Sequence, residues 1–309
     1  MYVVLAYYGF VKLDNPHKEV ADHLALFQDL DVRARIYISE EGINGQMSAS
    51  EEHAKIYKEW LHARAPFQDI VFKEHTYHEH AFPRKTVKYR KQLVALDATV
   101  DMAKTGERLL PKQWKEKLEH RDENMIVLDV RNQYEWVVGR FKGAEMPPLE
   151  TFREFPLYAK QLKEKKDPEK TTVLMYCTGG IRCELYSALL KEEGFDKVYQ
   201  LDGGVIGYGL NEGSSQWEGK LFVFDDRMVV PIAPGENPEP ISSCAFCDTP
   251  SDTYYNCANM DCNELFLSCP TCAEKMRGCC CTECIGSSRV RAFSPEVHPK
   301  PFRRITKTA

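Results

Sequence analysis

The stretch Val173-Leu174-Met175-Tyr176-Cys177-Thr178-Gly179-Gly180-Ile181-Arg182-Cys183-Glu184 joins an apolar run to a glycine-rich turn and then to a helical pattern. An apolar run that does not alternate belongs to a strand buried on both faces, as in a parallel sheet. Met125 to Leu128 is another such run, and Val198 to Leu201 marks a third strand. Helical segments separate them, one near Trp114–Leu118 and one over Leu185–Glu193 that stops at Gly194. Strands alternating with helices predict an α/β domain with a doubly wound parallel sheet.

Cys177 then falls where a central strand ends. Gly179 and Gly180 let the backbone curl so that its N–H groups turn inward, and Thr178 and Ile181 complete the loop. A helix opening near Arg182 adds its positive end. Both effects favour the thiolate, the nucleophilic form of cysteine. Arg182 brings a fixed positive charge for an anionic substrate. Four residues separate Cys177 from Arg182; a cradle this short suits a single sulfur atom better than a tetrahedral phosphate. Cys183 has two readings, a thiol that resolves a persulfide or disulfide on Cys177, or a small packed side chain.

Outward from this loop the chain divides. Its 309 residues exceed one ordinary core. Residues 1–96 carry strand, helix, strand, strand, helix, strand in order, with Asn15-Pro16 and Ser50 as helix starts. That order predicts a ferredoxin-like (acylphosphatase-like) α+β sandwich. Residues 97–112, with Asp101, Lys104, Gly106 and Pro111, read as a linker. The α/β domain covers 113–220, and a Cys-rich segment with a basic tail covers 221–309. A hydrophobic share of 43% against 28% charged residues suits a soluble globular chain. No apolar run approaches the roughly 20 residues that span a bilayer, and the first residues lack the basic start of a signal peptide. A cytoplasmic protein without a membrane partner is expected.

Ten of the twelve cysteines lie between 244 and 284. In a chain without an export signal, closely spaced pairs read first as metal ligands. Cys244/Cys247, Cys257/Cys262, Cys269/Cys272 and Cys281/Cys284 supply eight thiolates, enough for two structural zinc sites of four ligands each. Cys279 and Cys280 are left over. Pairing by spacing is open between sequential and interleaved, and disulfides or an iron–sulfur cluster are the alternatives to zinc. Arg84, Lys85, Lys88, Tyr89, Arg90 and Lys91 form a basic run with one aromatic, suited to tracking phosphates and stacking a base, or to guarding an edge strand. Arg289, Arg291, Lys300, Arg303, Arg304 and Lys307 form a second basic candidate.

Over residues 113–217 the chain resembles the rhodanese family. Leu128-Asp129-Val130-Arg131-Asn132-Gln133-Tyr134-Glu135 is similar to its first signature. Gly139-Arg140-Phe141-Lys142-Gly143-Ala144 is similar to its second, with Arg140 where His is common. Leu201-Asp202-Gly203-Gly204-Val205 is similar to its closing motif. The resemblance implies a persulfide on Cys177 and a sulfurtransferase activity; Asp129 and Arg131 read as a salt bridge ordering the loop. A wider resemblance, to the bacterial tRNA uridine hydroxylases, rests on further blocks. These are Glu40-Glu41-Gly42-Ile43-Asn44-Gly45, the whole of 177–184, Phe222-Val223-Phe224-Asp225-Asp226-Arg227, and Asn256-Cys257-Ala258-Asn259-Met260-Asp261-Cys262-Asn263. It implies oxygen-dependent hydroxylation of the wobble uridine of tRNA to 5-hydroxyuridine, with molecular oxygen as substrate and tRNA as partner. Cys177 would add to C6 of the base, as thiolate or persulfide, and so make C5 electron-rich. No flavin, haem or two-His-one-carboxylate motif is present. A non-catalytic RNA-binding adaptor is the third reading, against which the intact Cys-x4-Arg loop counts.

Overall fold

The computed structural model describes residues 1–293; Lys300, Arg303, Arg304 and Lys307 of the basic tail lie outside the described residues. The chain begins with β1 (Tyr2–Phe10), α1 (Pro16–Leu26), β2 (Val32–Ser39), β3 (Gly42–Ser50), α2 (Glu51–His62) and β4 (Lys73–Tyr77). The expected helix starts are there: Lys18 N–H donates to Asn15 Oδ1 (3.0 Å) and His53 N–H to Ser50 Oγ (3.2 Å). The strand order β4-β1-β3-β2 is that of the ferredoxin-like sandwich, and β5 (Lys85–Tyr89) adds a fifth strand, parallel to β2. Leu5, Tyr7, Ile36, Ile38 and Met47 point toward the helices and bury against Phe27, Tyr57 and Leu61. Strand alternation therefore turns Ala6, Tyr8, Arg35, Tyr37, Asn44 and Gln46 to the opposite face of the sheet.

The second domain is built from β6 (Glu107–Leu109), α3 (Pro111–Glu119), β7 (Met125–Asp129), α4 (Gln133–Trp136), β8 (Gly139–Phe141), α5 (Phe155–Lys165), β9 (Thr172–Tyr176), α6 (Ile181–Glu192), β10 (Lys197–Leu201) and α7 (Gly204–Glu212). Its four-stranded sheet, in the order β6-β10-β9-β7, is wholly parallel. Ile126, Leu128, Val173 and Met175 pack on one face against Phe155, Tyr186 and Leu190; Val127, Leu174 and Tyr176 pack on the other against Trp114, Val205 and Tyr208. Both faces are covered, which is why these strands read as unbroken apolar runs. One boundary moves. Glu107–Leu109, inside the expected linker, is an edge strand paired with Tyr199–Leu201, and Gly106 N–H donates to Ser187 Oγ (2.8 Å). Three residues carry too little alternation to announce a strand.

The remaining strands are short: β11 (Trp217–Gly219), which pairs with β8, then β12 (Leu221–Phe222) with β13 (Val229–Val230), and β14 (Tyr254–Asn256) with β15 (Leu265–Leu267). Helices α8 (Pro270–Lys275) and α9 (Thr282–Ile285) follow in the Cys-rich segment. Among the described residues no helix is long and apolar enough to cross a membrane.

Candidate active site

Cys177 lies at the carboxyl end of β9, where open α/β sheets place their ligands. Two glycines make its loop possible. Gly180 adopts φ +104°, the left-handed region that side chains disfavour, and its N–H donates to Cys177 Sγ (3.1 Å). A Cβ on Gly204 would lie 2.6 Å from the Cys177 carbonyl oxygen. Its absence lets the start of α7 close on the loop, where Val205 and Ile206 N–H donate to the carbonyls of Cys177 (3.0 Å) and Thr178 (3.1 Å). The closing Gly-Gly motif thus sets the position of Cys177.

Burial alone would raise the Cys177 pKa. The hydrogen bond from Cys183, the Arg182 charge and the N–H groups of Gly180 and Arg182 outweigh it and bring the thiol down to about 5. Burial pushes Cys183 the other way, together with the hydrogen bond it gives and the charge of Cys177. The two shifts run in opposite directions and favour charge on Cys177 over charge on Cys183.

Arg182 is less free than the sequence suggested. Its guanidinium forks onto buried Glu135, NH1 to Oε1 at 2.5 Å and NH2 to Oε2 at 2.7 Å, with Thr178 Oγ1 bridging to the same carboxylate at 3.1 Å. Burial opposes the Glu135 charge, but the Arg182 pair holds its carboxyl below the usual range. Behind it, Arg131 reaches Asp129 (2.9 and 2.6 Å) and the Gly139 carbonyl (2.6 Å), with both side chains of the Asp129–Arg131 pair fully buried. This pair fastens β7 to the α4–β8 turn beneath the loop.

The first domain supplies residues that no local motif marks. Lys73 Nζ donates to the Gly179 carbonyl (2.9 Å) and lies over the Tyr8 ring (5.1 Å). Burial brings its pKa down to about 8, against the pull of Cys177, Asp202 and Glu184. Tyr8 OH donates to Glu184 Oε1 (3.0 Å) on α6, where Arg108 also pairs (2.6 Å). Sheet face and loop enclose a cleft of about 290 Å³, with Cys177, Gly179 and Arg182 on one wall and Tyr37, Asn44 and Gln46 on the other.

The basic run divides between structural and exposed positions. Lys85 caps the end of α1, giving hydrogen bonds to the carbonyls of Leu30 (2.9 Å) and Phe27. Tyr89 bonds Glu40 (3.2 Å) and stacks on His17 (4.5 Å). Arg84, Lys88, Arg90 and Lys91 are exposed, and Arg90 lies over the Tyr37 ring at 5.1 Å.

The cysteines gather in two interleaved sets: Cys244, Cys247, Cys269 and Cys272, and Cys257, Cys262, Cys280 and Cys284. The second set corrects the reading from spacing, since Cys280 takes the place assigned to Cys281. Cys280 N–H donates to Cys257 Sγ (3.5 Å), while Cys281 serves as the N-cap residue of α9. All twelve cysteines are free of disulfides.

The sequence of the first domain matches the family described as UPF0176 acylphosphatase like domain (residues 2–93), that of the second the Rhodanese-like domain (110–210), and the third part the Rhodanase C-terminal family (218–285). The tRNA uridine(34) hydroxylase of Protochlamydia amoebophila is 57% identical over 304 residues, covering 98% of this chain and 94% of that protein. The tRNA uridine(34) hydroxylase of Chlamydia muridarum is also 57% identical, with 98% and 92% covered. The chain belongs to the tRNA uridine(34) hydroxylase family. Among solved structures, a rhodanese-like domain from Anabaena is similar at 21% identity and a TM-score of 0.31, covering 37% of this chain and 80% of that one. In this family member the cleft places the rhodanese-type loop opposite the acylphosphatase-like sheet, so one wall carries the sulfur and the other carries polar and aromatic side chains.

Proposed function

We propose that this chain hydroxylates C5 of the uridine at position 34 of tRNA, with Cys177 as nucleophile and molecular oxygen as the source of the new atom. The observation that carries the reading is Cys177, its Sγ accepting from Gly180 N–H, in the lining of a cleft of about 290 Å³, in a chain whose relatives over nearly full length bear that name. C5 of uracil is unreactive until the 5,6 double bond is polarised. Addition of Cys177 Sγ to C6 breaks the π bond and moves its electrons onto C5 and O4, and C5 then attacks oxygen. Loss of the C5 proton and of the sulfur restores the double bond. One oxygen atom enters the base and the other leaves as water, which takes two electrons and two protons. The Cys183 thiol takes the outer oxygen of the C5 peroxide, breaking the O–O bond, and once released from C6 the Cys177 thiolate displaces that oxygen as water to give a disulfide; the two sulfurs supply both electrons and Cys183 one proton, and solvent supplies the other.

Exposed Arg84, Lys88, Arg90 and Lys91 border β2, whose Arg35 and Tyr37 line the cleft, and they suit the phosphates of the bound RNA. The two cysteine sets fit zinc. Sulfurs at about 2.3 Å around a tetrahedral ion stand about 3.8 Å apart. Here Cys247–Cys269 and Cys262–Cys280 are separated by 3.7 Å, and Cys280–Cys284 by 3.9 Å. Zinc in these sites would hold together a segment with few large apolar residues.

The test is nucleoside mass spectrometry of unmodified tRNA incubated with the purified protein and a thiol reductant, with and without oxygen. 5-Hydroxyuridine should form only with oxygen, and Cys177→Ala should form none. Product from Cys177→Ala, or none from the wild type, overturns the reading.

A further inference from the structure

The sheet wall of the cleft is laid out by strand register. Lys73 pairs with Ala6, Ala6 with Gln46, and Gln46 with Arg35, so these four form one row across β4, β1, β3 and β2. The next row is Tyr8, Asn44 and Tyr37. Cross-strand neighbours on one face stand about 5 Å apart, so the carboxamides of Asn44 and Gln46 occupy the middle of the wall, beside the small Ala6. Among the described residues neither carboxamide has a hydrogen-bond partner, although both line the cleft and are half-buried. Polar side chains placed in a cleft without partners are arranged for something that enters it.

We propose that Asn44 and Gln46 read the imide edge of the target uracil, in a row whose ends carry the positive charges of Lys73 and Arg35, held by the Gly179 and Phe224 carbonyls (2.9 and 3.0 Å). The inference rests on the activity proposed above and names the base-recognition half of that site. Uracil presents O4, N3–H and O2 along one edge, and N3 lies across the ring from C6. The sulfur adds to C6 from above the ring plane, and N3, on the far side of the ring, is left clear of the loop for the side chains of the sheet to meet. A carboxamide offers an acceptor for N3–H and a donor for a neighbouring carbonyl. The cationic row favours O4, and favours it more once sulfur addition places negative charge there. Cytosine puts an amino group at that position, which the same row disfavours. A single-stranded loop nucleotide can be splayed out to enter such a cleft.

Two anticodon stem–loop RNAs, identical except for U or C at position 34, test this by fluorescence anisotropy. The wild type should prefer U34. Gln46→Ala and Asn44→Ala should each reduce that preference by about 5- to 150-fold, the range for one bidentate base contact, and leave C34 binding unchanged. Gln46→Glu keeps the shape and removes the donor, so it should lose the preference as well. The pH midpoint for alkylation of Cys177 should not move in these variants, which separates base reading from a disturbed loop. A wild type that hydroxylates U34 but binds both RNAs equally, or variants that keep the preference, would overturn the assignment while the activity stands. A wild type that forms no 5-hydroxyuridine would overturn both.

Discussion

Replacing Cys183 by alanine removes the hydrogen bond that does most to hold Cys177 ionised. A hydrogen bond to a charged group contributes about 1.5–3 kcal/mol, and one pKa unit corresponds to about 1.4 kcal/mol. The Cys177 pKa should therefore climb by one to two units, from about 5 to about 6–7. It should climb no further, because the Arg182 charge and the N–H groups of Gly180 and Arg182 remain. The assay is the rate of alkylation of Cys177 by iodoacetamide between pH 4 and 9, followed by peptide mass spectrometry. The wild-type rate should be half-maximal near pH 5 and flat from pH 6 to 8. Cys183→Ala should shift the whole curve to the right. Cys183→Ser retains an O–H donor of similar reach and should stay near the wild-type midpoint. If the alanine variant titrates with the wild type, the thiol is not the donor that lowers the pKa. If serine shifts as far as alanine, the effect is one of packing and the argument from the hydrogen bond fails.

Two further perturbations follow from the same geometry. Lys73→Met should raise the Cys177 alkylation midpoint and lower kcat, since it frees the Gly179 carbonyl and removes a cation beside the thiolate; in the wild type, kcat/KM should fall as the pH rises past about 8, where the buried ammonium loses its proton, and the variant should lack that limb. Metal analysis should find two zinc ions per wild-type chain and about one in Cys280→Ser, while Cys281→Ser keeps two; a loss in the second variant and none in the first would restore the ligand set read from spacing.

The parts of this structure that are legible in the sequence are those decided by neighbours along the chain. Both faces of β7 and β9 are buried, so their residues had to be uniformly apolar. The loop after Tyr176 had to curl tightly, so it had to contain glycine, and the thiolate reading of Cys177 follows from that curl. Asn15 and Ser50 end their loops with the side-chain acceptors that free helix N–H groups require. Local spacing fails where two adjacent residues satisfy it equally. Cys280 and Cys281 both stand within ligand range of Cys284 along the chain, and the choice between them is made by the backbone bond from Cys280 to Cys257, 23 residues earlier.

The half of the site contributed by the first domain is illegible for a different reason. Lys73 meets Gly179 106 positions away, and Tyr8 meets Glu184 176 positions away. A lysine or a tyrosine in a strand is ordinary in itself, and it gains meaning only when the face it occupies is known. That face follows from alternation once the buried set Leu5, Tyr7, Ile36 and Met47 is assigned to the helices. The other set, Ala6, Tyr8, Arg35, Tyr37, Asn44 and Gln46, is then too polar for a core and too aromatic for a purely solvated surface. A sheet that keeps such a face has it turned toward a ligand or a partner domain, and here it faces the Cys177 loop of the second domain across the cleft. In the proposed reaction the Cys177 thiolate would supply reactivity without choice of base, and the sheet would offer hydrogen-bond groups without a nucleophile. Selective attack on one base needs the two walls held together, which gives a physical reason for the Lys73–Gly179 and Tyr8–Glu184 bonds to cross the boundary between the domains.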